Sequence, residues 1–424
     1  MPDLTPAEAS ALREVDATGT AALLTELLAV PSVSGSDAEC DVQHLLAKRL
    51  ERAGLAVDLW PLDLPALEAA EGFPGTEAPR SEAWGLVGTR AAGDGDRPAL
   101  ALQGHVDVVP AGDRAQWVTD PFTPTWTGNR VHGRGAVDMK AGVAANLAAL
   151  AAIDRAGVRL RRTVALQFVI GEEDGGLGAF GTLARGHTAD ACIITEPTSG
   201  TLVTAAAGAL TFTLEVTGLA THASTPYAGH SALDAYLPLH RALADLQAER
   251  NQLVEPLMRD YPVPYPIVVG RLDAGDWSSS VPDRLVAEGR LGLRVQEDPD
   301  DARRQLEERV AEVAAQDPFL VDHPPVVTWS GGQFAGGRLE PGNPLRGLVA
   351  DAHADVTGGD RLRERGAPYG SDLRLYAAEG IPTLHYGPGD VRLAHGPHEA
   401  VDLDEVLTVT RALVLAVLRA CGTR

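Results

Sequence analysis

Five short polar clusters in this 424-residue chain combine histidine and carboxylate side chains at the ends of apolar segments. The clusters are Gly104-His105-Val106-Asp107, Gly135-Ala136-Val137-Asp138, Gly171-Glu172-Glu173-Asp174, Thr195-Glu196-Pro197-Thr198 and Ala394-His395-Gly396-Pro397. A loop or a helix cap uses the same residue types, so one cluster alone carries little information. Together, two imidazoles and several carboxylates form a sulfur-free ligand set for two borderline divalent cations. The chemistry that they indicate is the binding of a metal pair.

The elements that must position these clusters are apolar strands alternating with helices. Strands are predicted over 99–109, 163–170 and 382–386, and helices over 37–53, 141–156 and 403–418. The first helix follows Ser36-Asp37-Ala38-Glu39, which is a capping-box pattern. Such alternation predicts an α/β fold with a mostly parallel sheet covered by helices on both faces. Ligands bind at the carboxyl ends of the strands in open sheets of this type, which is where the clusters stand.

The middle of the chain has a different pattern. Residues 210–218 alternate apolar and polar side chains, and a helix over 232–249, strands over 267–272 and 284–295 and a helix over 300–314 follow. Two helices on one face of an antiparallel sheet make an α+β unit. Because the α/β pattern returns from about 327, we predict a larger domain of 1–207 and 327–424. Residues 208–326 are then an inserted domain.

The composition limits the partners of the protein. The chain has 36 Lys plus Arg against 58 Asp plus Glu, a net charge of −22, and no long basic run offsets it. Nucleic acid and membrane surfaces are therefore not expected partners. The sequence starts without a signal-peptide pattern and no stretch approaches 18 apolar residues, so a cytoplasmic location is expected. Cys40, Cys192 and Cys421 are widely spaced, which predicts neither a disulfide framework nor a thiolate zinc site.

Seven motifs occur in the order found in a known enzyme family. They are LLTELLAVPSVSG (23–35), GHVDVVP, GRGAVDMKAG, GEEDGG, TEPT, THASTPYAGHSALDA and YGPGDVRLAHGPHEAVDL. On these motifs, nearly the whole chain resembles the M20 family of metal-dependent amidohydrolases and exopeptidases. That family includes acetylornithine deacetylase, succinyl-diaminopimelate desuccinylase and glutamate carboxypeptidase. The resemblance implies a zinc-exopeptidase-like catalytic domain, an inserted lid and dimerisation domain, and two Zn²⁺, with Co²⁺ or Mn²⁺ as alternatives.

The resemblance also implies a metal-ligand set. It assigns His105 and Glu196 to one zinc, Glu173 and His395 to the other, and Asp138 to a bridge between them. The chemistry agrees, because a bridge between two metals needs the two oxygens of a carboxylate, whereas an imidazole can serve a terminal position. A pair of zinc ions on this set readily deprotonates water.

Two further carboxylates are expected beside the ligands. Glu172 directly precedes Glu173, and adjacent residues of an extended chain point in opposite directions, so Glu172 can face the substrate as the general base. Asp107 shares a strand face with His105 and can accept its second ring N–H. The alternative for Asp107 is an ordinary turn-capping role before Pro110.

The resemblance places His222 in the inserted domain, from where it stabilises the oxyanion in the active site of a partner subunit. This implies a homodimer formed through the inserted domain. An exposed loop histidine without chemistry is the alternative. The chain departs from the family pattern nearby, because Ser278-Ser279-Ser280 stands where an Asn normally precedes Val-Pro.

Recognition of a substrate carboxylate is expected to need an arginine. Arg290 and Arg294 both fit the family position, and their spacing from Pro282 does not decide between them. Gly370, Ser371 and Gly387 lie in loops that the resemblance places around the substrate, although ordinary turn chemistry also explains them.

The resemblance implies hydrolysis of an amide bond in a small N-acyl amino acid or dipeptide. A Glu at 196 is typical of deacylases and carboxypeptidases in the family, and the motifs are most similar to those of acetylornithine deacetylase. The alternatives are a succinyl-diaminopimelate desuccinylase, a carboxypeptidase acting on small peptides, and a non-catalytic metal-binding homologue. A dinucleotide site at the glycines of 176–181 is disfavoured, because Glu172, Glu173 and Asp174 would repel a pyrophosphate.

Overall fold

The computed structural model of the protein describes residues 4–424, which divide into two compact units. The first unit contains the described residues up to Thr204 together with 338–365 and 372–424. The second unit contains 205–337 and 366–371. No helix of the described part is long and apolar enough to cross a membrane.

Helices and strands alternate along much of the described chain. Within the described residues, the α-helices are α1 (Pro6–Arg13), α2 (Ala17–Leu28), α3 (Asp37–Arg52), α4 (Leu64–Glu68), α5 (Lys140–Arg155), α6 (Leu177–Ala184), α7 (Ala232–Arg250), α8 (Pro299–Ala314), α9 (Pro318–Asp322), α10 (Pro344–Thr357), α11 (Leu373–Ala378) and α12 (Leu403–Cys421). The strands are β1 (Ala56–Pro61), β2 (Trp84–Arg90), β3 (Leu100–His105), β4 (Thr125–Thr127), β5 (Arg130–His132), β6 (Val164–Val169), β7 (Cys192–Ile194), β8 (Thr201–Ala206), β9 (Gly208–Thr217), β10 (Ile267–Ala274), β11 (Arg284–Leu293), β12 (Val326–Phe334), β13 (Gly337–Arg338), β14 (Arg363–Ala367), β15 (Thr383–His385) and β16 (Ala400–Asp402).

The central sheet is parallel in its middle and antiparallel at its edges. Its order is β1-β2-β6-β3-β7-β15-β8-β13, with β14 also paired to β8. The neighbours β6, β3, β7 and β15 run parallel, whereas β1, β2 and β8 pair antiparallel. Every residue of β3 and β6 is buried, as expected for strands covered on both faces. The carboxyl ends of the parallel strands therefore meet at one edge of the sheet, and the predicted α/β class is confirmed.

The second unit is an antiparallel sheet with helices packed against it. The sheet order is β10-β11-β9-β12. Its core is formed by apolar side chains of two strands and three helices, among them Leu210, Phe212 and Leu214 of β9, Leu285 and Leu291 of β11, Leu239 and Leu243 of α7, Leu306 and Val310 of α8, and Leu320 of α9. The α+β pattern of the sequence therefore corresponds to a sheet with one covered face.

The two units differ from the predicted domains at two places. Strand β12 pairs with β9 in the antiparallel sheet, although the sequence pattern places the return of the α/β domain at about 327. Its side chains alternate in exposure, which is the behaviour of an edge strand with one solvent-facing side. Residues 366–371 also belong to the second unit, so Gly370 and Ser371 are not part of the larger one.

The start of α3 corrects a local prediction. The helix begins at Asp37 as expected, but the hydroxyl of Ser36 makes no capping hydrogen bond. The Glu39 carboxylate accepts the backbone N–H of Gly35, at 2.7 Å, and lies against Arg80. The capping box fails because Glu39 is drawn into a buried ion pair.

One buried histidine makes stability depend on pH. Burial in β15 lowers the pKa of His385 to about 3, well below its ordinary value, so the folded protein keeps this ring neutral. Below about pH 6.5 the unfolded chain takes up a proton that the folded chain does not, so stability is lost as pH falls toward the folded pKa. Between about pH 7 and about pH 5 we expect the unfolding free energy of the wild type to fall by about 2 kcal/mol more than that of His385→Gln. Urea denaturation at both pH values measures this, and equal losses in the two proteins would contradict it.

Candidate metal centre and active site

The structure brings five predicted ligands together at one edge of the central sheet. His105 is the last residue of β3, Glu196 follows β7, and Glu173 lies in the turn between β6 and α6. Asp138 stands just before α5 and is joined to Met139 by a cis peptide bond, and His395 follows the short helical turn at 391–393. All five belong to the first unit, although almost three hundred positions separate His105 from His395.

Asp138 lies between the two histidines. The Nε2 atom of His105 is 3.0 Å from Oδ1 of Asp138, and Nε2 of His395 is 3.4 Å from the other oxygen, Oδ2. Glu196 Oε1 is 3.5 Å from His105 Nε2, and Glu173 Oε2 is 3.1 Å from His395 Nε2. The two carboxylate oxygens of Asp138 thus face two separate groups, each with one histidine and one glutamate.

The donor atoms fit divalent cations. The ligand atoms of His105, Asp138 and Glu173 all lie within 4.8 Å of one another, and so do those of His105, Glu172 and Glu196. These are nitrogen and carboxylate donors, the set that Zn²⁺ and its neighbours prefer in the absence of sulfur. Glu172, the predicted base, therefore lies close enough to His105 and Glu196 to contact the same cation.

The electrostatics of the site also fit bound cations. Burial and the nearby Asp138 raise the pKa of Glu196 well above its usual range, and they raise the pKa of Glu173 in the same direction. Hydrogen bonds to Asp138 and Glu173 raise the pKa of His395 to about 11. Without a cation, protonated imidazole and protonated carboxyl groups relieve the repulsion between buried acids. Bound divalent cations would supply that positive charge instead and displace these protons.

Asp107 holds the turn that carries Glu172 and Glu173. Its Oδ1 accepts the backbone N–H of Glu172 at 3.2 Å, and its Oδ2 accepts that of Glu173 at 3.2 Å and the hydroxyl of Ser34 at 2.9 Å. His105 Nδ1 is closer to the backbone carbonyl of Asp107, at 3.0 Å, than to its carboxylate, at 3.5 Å. The main contact of the carboxylate is therefore the glutamate turn, with the His105 ring as a longer second contact.

Glu172 has the environment of a proton carrier. Its side chain is buried, and burial raises its pKa well above the ordinary value of a glutamate; Glu196 and Asp372 act in the same direction, whereas His105 opposes them. A carboxylate shifted toward neutrality can both accept a proton and release it during one reaction cycle.

A buried ion pair that the sequence patterns do not predict lies beside the predicted ligands. Arg134 Nη1 lies 2.6 Å from Glu399 Oε2, and both side chains are almost fully buried. Glu399 Oε1 accepts the backbone N–H groups of Val137, at 2.9 Å, and Asp138, at 3.2 Å. Arg134 Nη2 donates to the carbonyl of His395 at 3.2 Å. One ion pair therefore links the backbones of two predicted ligands, and its signal was a charged residue inside each of the motifs GRGAVDMKAG and AHGPHE.

Lys140 anchors the start of α5, next to Asp138 and Met139. Its ammonium group is fully buried and donates to the carbonyls of Leu27, at 3.0 Å, and Val30, at 2.7 Å. Burial lowers the pKa of Lys140 to about 7. The first residue of α5 is therefore tied to the end of α2, which limits the movement of Asp138 two residues earlier.

Among the predicted site residues of the second unit, His222 lies on the surface, whereas Arg290 and Gly370 lie beside Phe334. His222 is exposed, its Nδ1 is 2.7 Å from Ser224 Oγ, and its backbone forms a bridge with Ser280. The Arg290 guanidinium lies 5.8 Å from the centre of the Phe334 ring. Phe334 also packs against Gly370, where an added Cβ would approach the phenylalanine Cβ to 2.3 Å.

Arg294 differs from Arg290. Its Nη2 and Nε donate to the backbone carbonyl of Arg250 at 3.0 and 3.3 Å, so it supports the end of α7. Arg290 instead shares the Phe334 contact with a predicted substrate loop. The geometry therefore separates two arginines that the spacing in the sequence left equivalent.

Two glycine patterns have structural explanations. A Cβ at Gly387 would lie 2.1 Å from the Thr195 carbonyl, so the loop can approach the end of β7 only with glycine there. A Cβ at Gly178 would lie 2.5 Å from the backbone of Ile170, so this glycine allows α6 to pack against the end of β6. Close packing therefore accounts for Gly178 within the glycine-rich stretch 176–181. Ser371 is buried like Gly387.

Three proteins of similar sequence are named as a deformylase, a desuccinylase and a deacetylase. The chain is 26% identical over 426 residues to an N-formyl-4-amino-5-aminomethyl-2-methylpyrimidine deformylase of Halalkalibacterium halodurans, covering 95% of this chain and 94% of the relative. It is 30% identical over 404 residues to a succinyl-diaminopimelate desuccinylase of Variovorax paradoxus, covering 92% and 95%. It is 28% identical over 415 residues to an acetylornithine deacetylase of Edwardsiella ictaluri, covering 94% and 97%.

A solved structure and a family model also match this chain. The crystal structure of an M20 family metallo-carboxypeptidase from Sulfolobus solfataricus superposes with a TM-score of 0.76 at 16% identity, covering 95% of this chain and 99% of that one. The model of peptidase family M20/M25/M40, a metal-dependent family, matches residues 101–419. The chain therefore belongs to peptidase family M20/M25/M40 and is a hydrolase that acts on amide bonds.

Proposed function

We propose that the protein hydrolyses a small acyl group from the amine nitrogen of an N-acyl amino acid, using two divalent cations. The observation that carries this proposal is the position of Asp138, whose two carboxylate oxygens face two separate His and Glu pairs. Zn²⁺ is the first choice for the cations because the donors are imidazole and carboxylate, and Co²⁺ or Mn²⁺ are alternatives.

The residues of the chain divide the work of the reaction. The bound cations would lower the pKa of water and polarise the amide carbonyl. Glu172 accepts the proton that the attacking water loses and delivers it to the leaving amine nitrogen. Asp107 keeps the Glu172-Glu173 turn in place, and the Arg134–Glu399 pair fixes the backbone at Asp138 and His395. Rigid support of this kind keeps the reacting groups in register.

The substrate class rests on two arguments. The deformylase, desuccinylase and deacetylase names of the three relatives all describe removal of an acyl group. Arg290 offers a planar guanidinium beside Phe334 and the loop with Gly370, which suits a carboxylate held bidentately. An N-acyl amino acid has both an acyl group on its nitrogen and a carboxylate. A small dipeptide is the second choice, because its peptide bond and its carboxylate have the same arrangement.

The proposed assembly is a homodimer formed through the second unit. Strand β10 is an edge strand with exposed Val268 and Leu272, and α7 exposes Leu233 and Leu237. Strand edges and exposed apolar side chains of this kind favour association with a second copy. His222 would then act in the partner's site. The cytoplasmic location and the absence of nucleic-acid and membrane partners stay predictions.

Metal content tests the ligand set. We expect wild-type protein reconstituted with Zn²⁺ and then desalted to retain about two ions per chain, since a bridging carboxylate with two terminal pairs holds two metals. Asp138→Asn should lose at least one ion, because an amide bridges two cations poorly. The control is Asp96→Asn, which changes an exposed loop carboxylate. Elemental analysis measures all three proteins, and unchanged zinc in Asp138→Asn would refute the bridge.

Glu172 is tested separately from metal binding. We expect Glu172→Gln to keep its zinc and its substrate affinity while kcat falls about 10²- to 10⁴-fold, because an amide cannot carry the proton. Initial rates on N-acetylornithine, N-succinyl-diaminopimelate, N-acetylmethionine and a dipeptide with C-terminal glutamate measure this, with exposed Glu51→Gln as the control. Wild-type turnover by Glu172→Gln would refute its role, and a wild-type protein inactive on every amide would favour the non-catalytic alternative.

The two arginines make opposite predictions. Arg290→Met should raise KM for a carboxylate substrate about 10- to 100-fold, because a charge-assisted contact worth about 1.5–3 kcal/mol is lost. Arg294→Met should leave KM nearly unchanged. A substrate with its carboxylate converted to an amide is the matched control, since it should bind equally poorly to wild type and Arg290→Met. The opposite ranking of the two variants would assign the carboxylate to Arg294.

A further inference from the structure

We infer that Arg80 is a positioning residue for Glu172 and Glu173, acting through Asp174 in the same turn. The inference rests on the proposed function, because it concerns the base and one ligand of that site. Arg80 lies 94 residues before Asp174, in a segment rich in Glu, Ala, Pro and Gly. No step of the proposed mechanism involves it directly.

The guanidinium of Arg80 bridges two buried carboxylates. Its Nε and Nη2 donate to the two oxygens of Glu39 at 2.8 and 3.0 Å. Its Nη1 and Nη2 donate to the two oxygens of Asp174 at 2.7 and 2.9 Å. The Arg80 side chain is 3% exposed. Two bidentate contacts fix the direction of both carboxylates, which a lysine ammonium cannot do.

The segment around Arg80 is packed onto the glutamate turn. Asp174 Oδ2 also accepts the hydroxyl of Thr76 at 2.7 Å and the backbone N–H groups of Glu77, at 3.1 Å, and Ala78, at 2.8 Å. A Cβ at Gly175 would lie 2.1 Å from the Gly75 carbonyl. The 75–80 segment therefore contacts the turn through charge, hydrogen bonds and direct backbone packing.

The turn is held from two sides. Asp107 accepts the backbone N–H groups of Glu172 and Glu173, and the 75–80 segment holds the side chain of the next residue, Asp174. Two anchors on consecutive residues leave the peptide planes of the turn little freedom to rotate. The directions of the Glu172 and Glu173 carboxylates depend on those planes, and a shift of about 1 Å in a reacting group can slow a reaction about 100-fold.

Stability alone is a weak explanation for this arrangement. Removing an arginine and two carboxylates from water is costly, and apolar side chains of similar volume often stabilise a fold as well or better. The ion pair instead adds direction, which apolar packing lacks. We therefore expect its loss to act on metal binding and turnover and not only on folding.

The first test compares Arg80→Lys with Arg419→Lys. Arg419 also bridges two carboxylates, Glu8 at 2.7 Å and Asp355 at 2.6 Å, but these join α12 to α1 and α10. In Arg80→Lys we expect Zn²⁺ affinity, measured by competition with a chromophoric chelator, to fall about 10- to 100-fold. We expect kcat to fall by a similar factor and KM to change less than about threefold. Arg419→Lys should lower the melting temperature only.

The second test needs neither metal nor substrate. Amide hydrogen exchange of the metal-free protein should show faster exchange across 171–176 in Arg80→Lys and unchanged exchange there in Arg419→Lys. An inactive wild type would refute the proposed function and leave this readout intact. Unchanged exchange, zinc affinity and kcat in a destabilised Arg80→Lys would overturn the inference.

A milder variant covers the case in which Arg80→Lys does not fold. Thr76→Val removes one hydrogen bond to Asp174 with little change in volume, and we expect zinc affinity and kcat to fall about two- to tenfold. Wild-type values for both in Thr76→Val, with a failed Arg80→Lys, would reduce Arg80 to a structural role.

Discussion

The mutual repulsion of buried carboxylates is the constraint on which the site depends. Asp138, Glu173 and Glu196 repel one another at the end of the central sheet, where their side chains are largely shielded from water. The fold tolerates this only because cations, or protons on His105 and His395, supply compensating charge. Groups that repel one another must also be held from outside, and this explains the ring of hydrogen bonds from Asp107, the Arg134–Glu399 pair and Lys140. The metal chemistry and the architecture have the same electrostatic origin.

Many of the helices and strands, and the motifs that hold the predicted ligands, could be identified from the sequence, because their signals are local. Helix α12 and strand β9 carry clear periodicity, and the predicted ligands lie in motifs that occur in a fixed order, three of them at or just after apolar strands. Long-range pairing has no such signal. No sequence pattern near Arg80 predicts that its side chain pairs with Glu39 and Asp174. The capping pattern at Ser36 predicts a local hydrogen bond that does not form, because Glu39 pairs with Arg80 instead. Strand β12 begins with apolar and β-branched residues that suit either sheet, so the pattern alone does not place it.

The two arginines show a different limit. In a regular strand, residues 290 and 294 point to the same face, so a period-two pattern treats them as equal. Strand β11 ends at Leu293, and the chain then turns so that Arg294 reaches the carbonyl of Arg250. The point where a strand stops therefore decides which groups a side chain near its end can contact, and sequence patterns locate such points poorly.

The position of His395 has a consequence for how the enzyme is made. Four of the five predicted ligands are translated before the second unit, whereas His395 and Glu399 come after it. While the second unit is being synthesised, the nascent chain thus contains four of the predicted ligands without His395, and Arg134 without Glu399. The complete set of predicted ligands and the Arg134–Glu399 ion pair therefore exist only once the segment that follows the second unit has been synthesised.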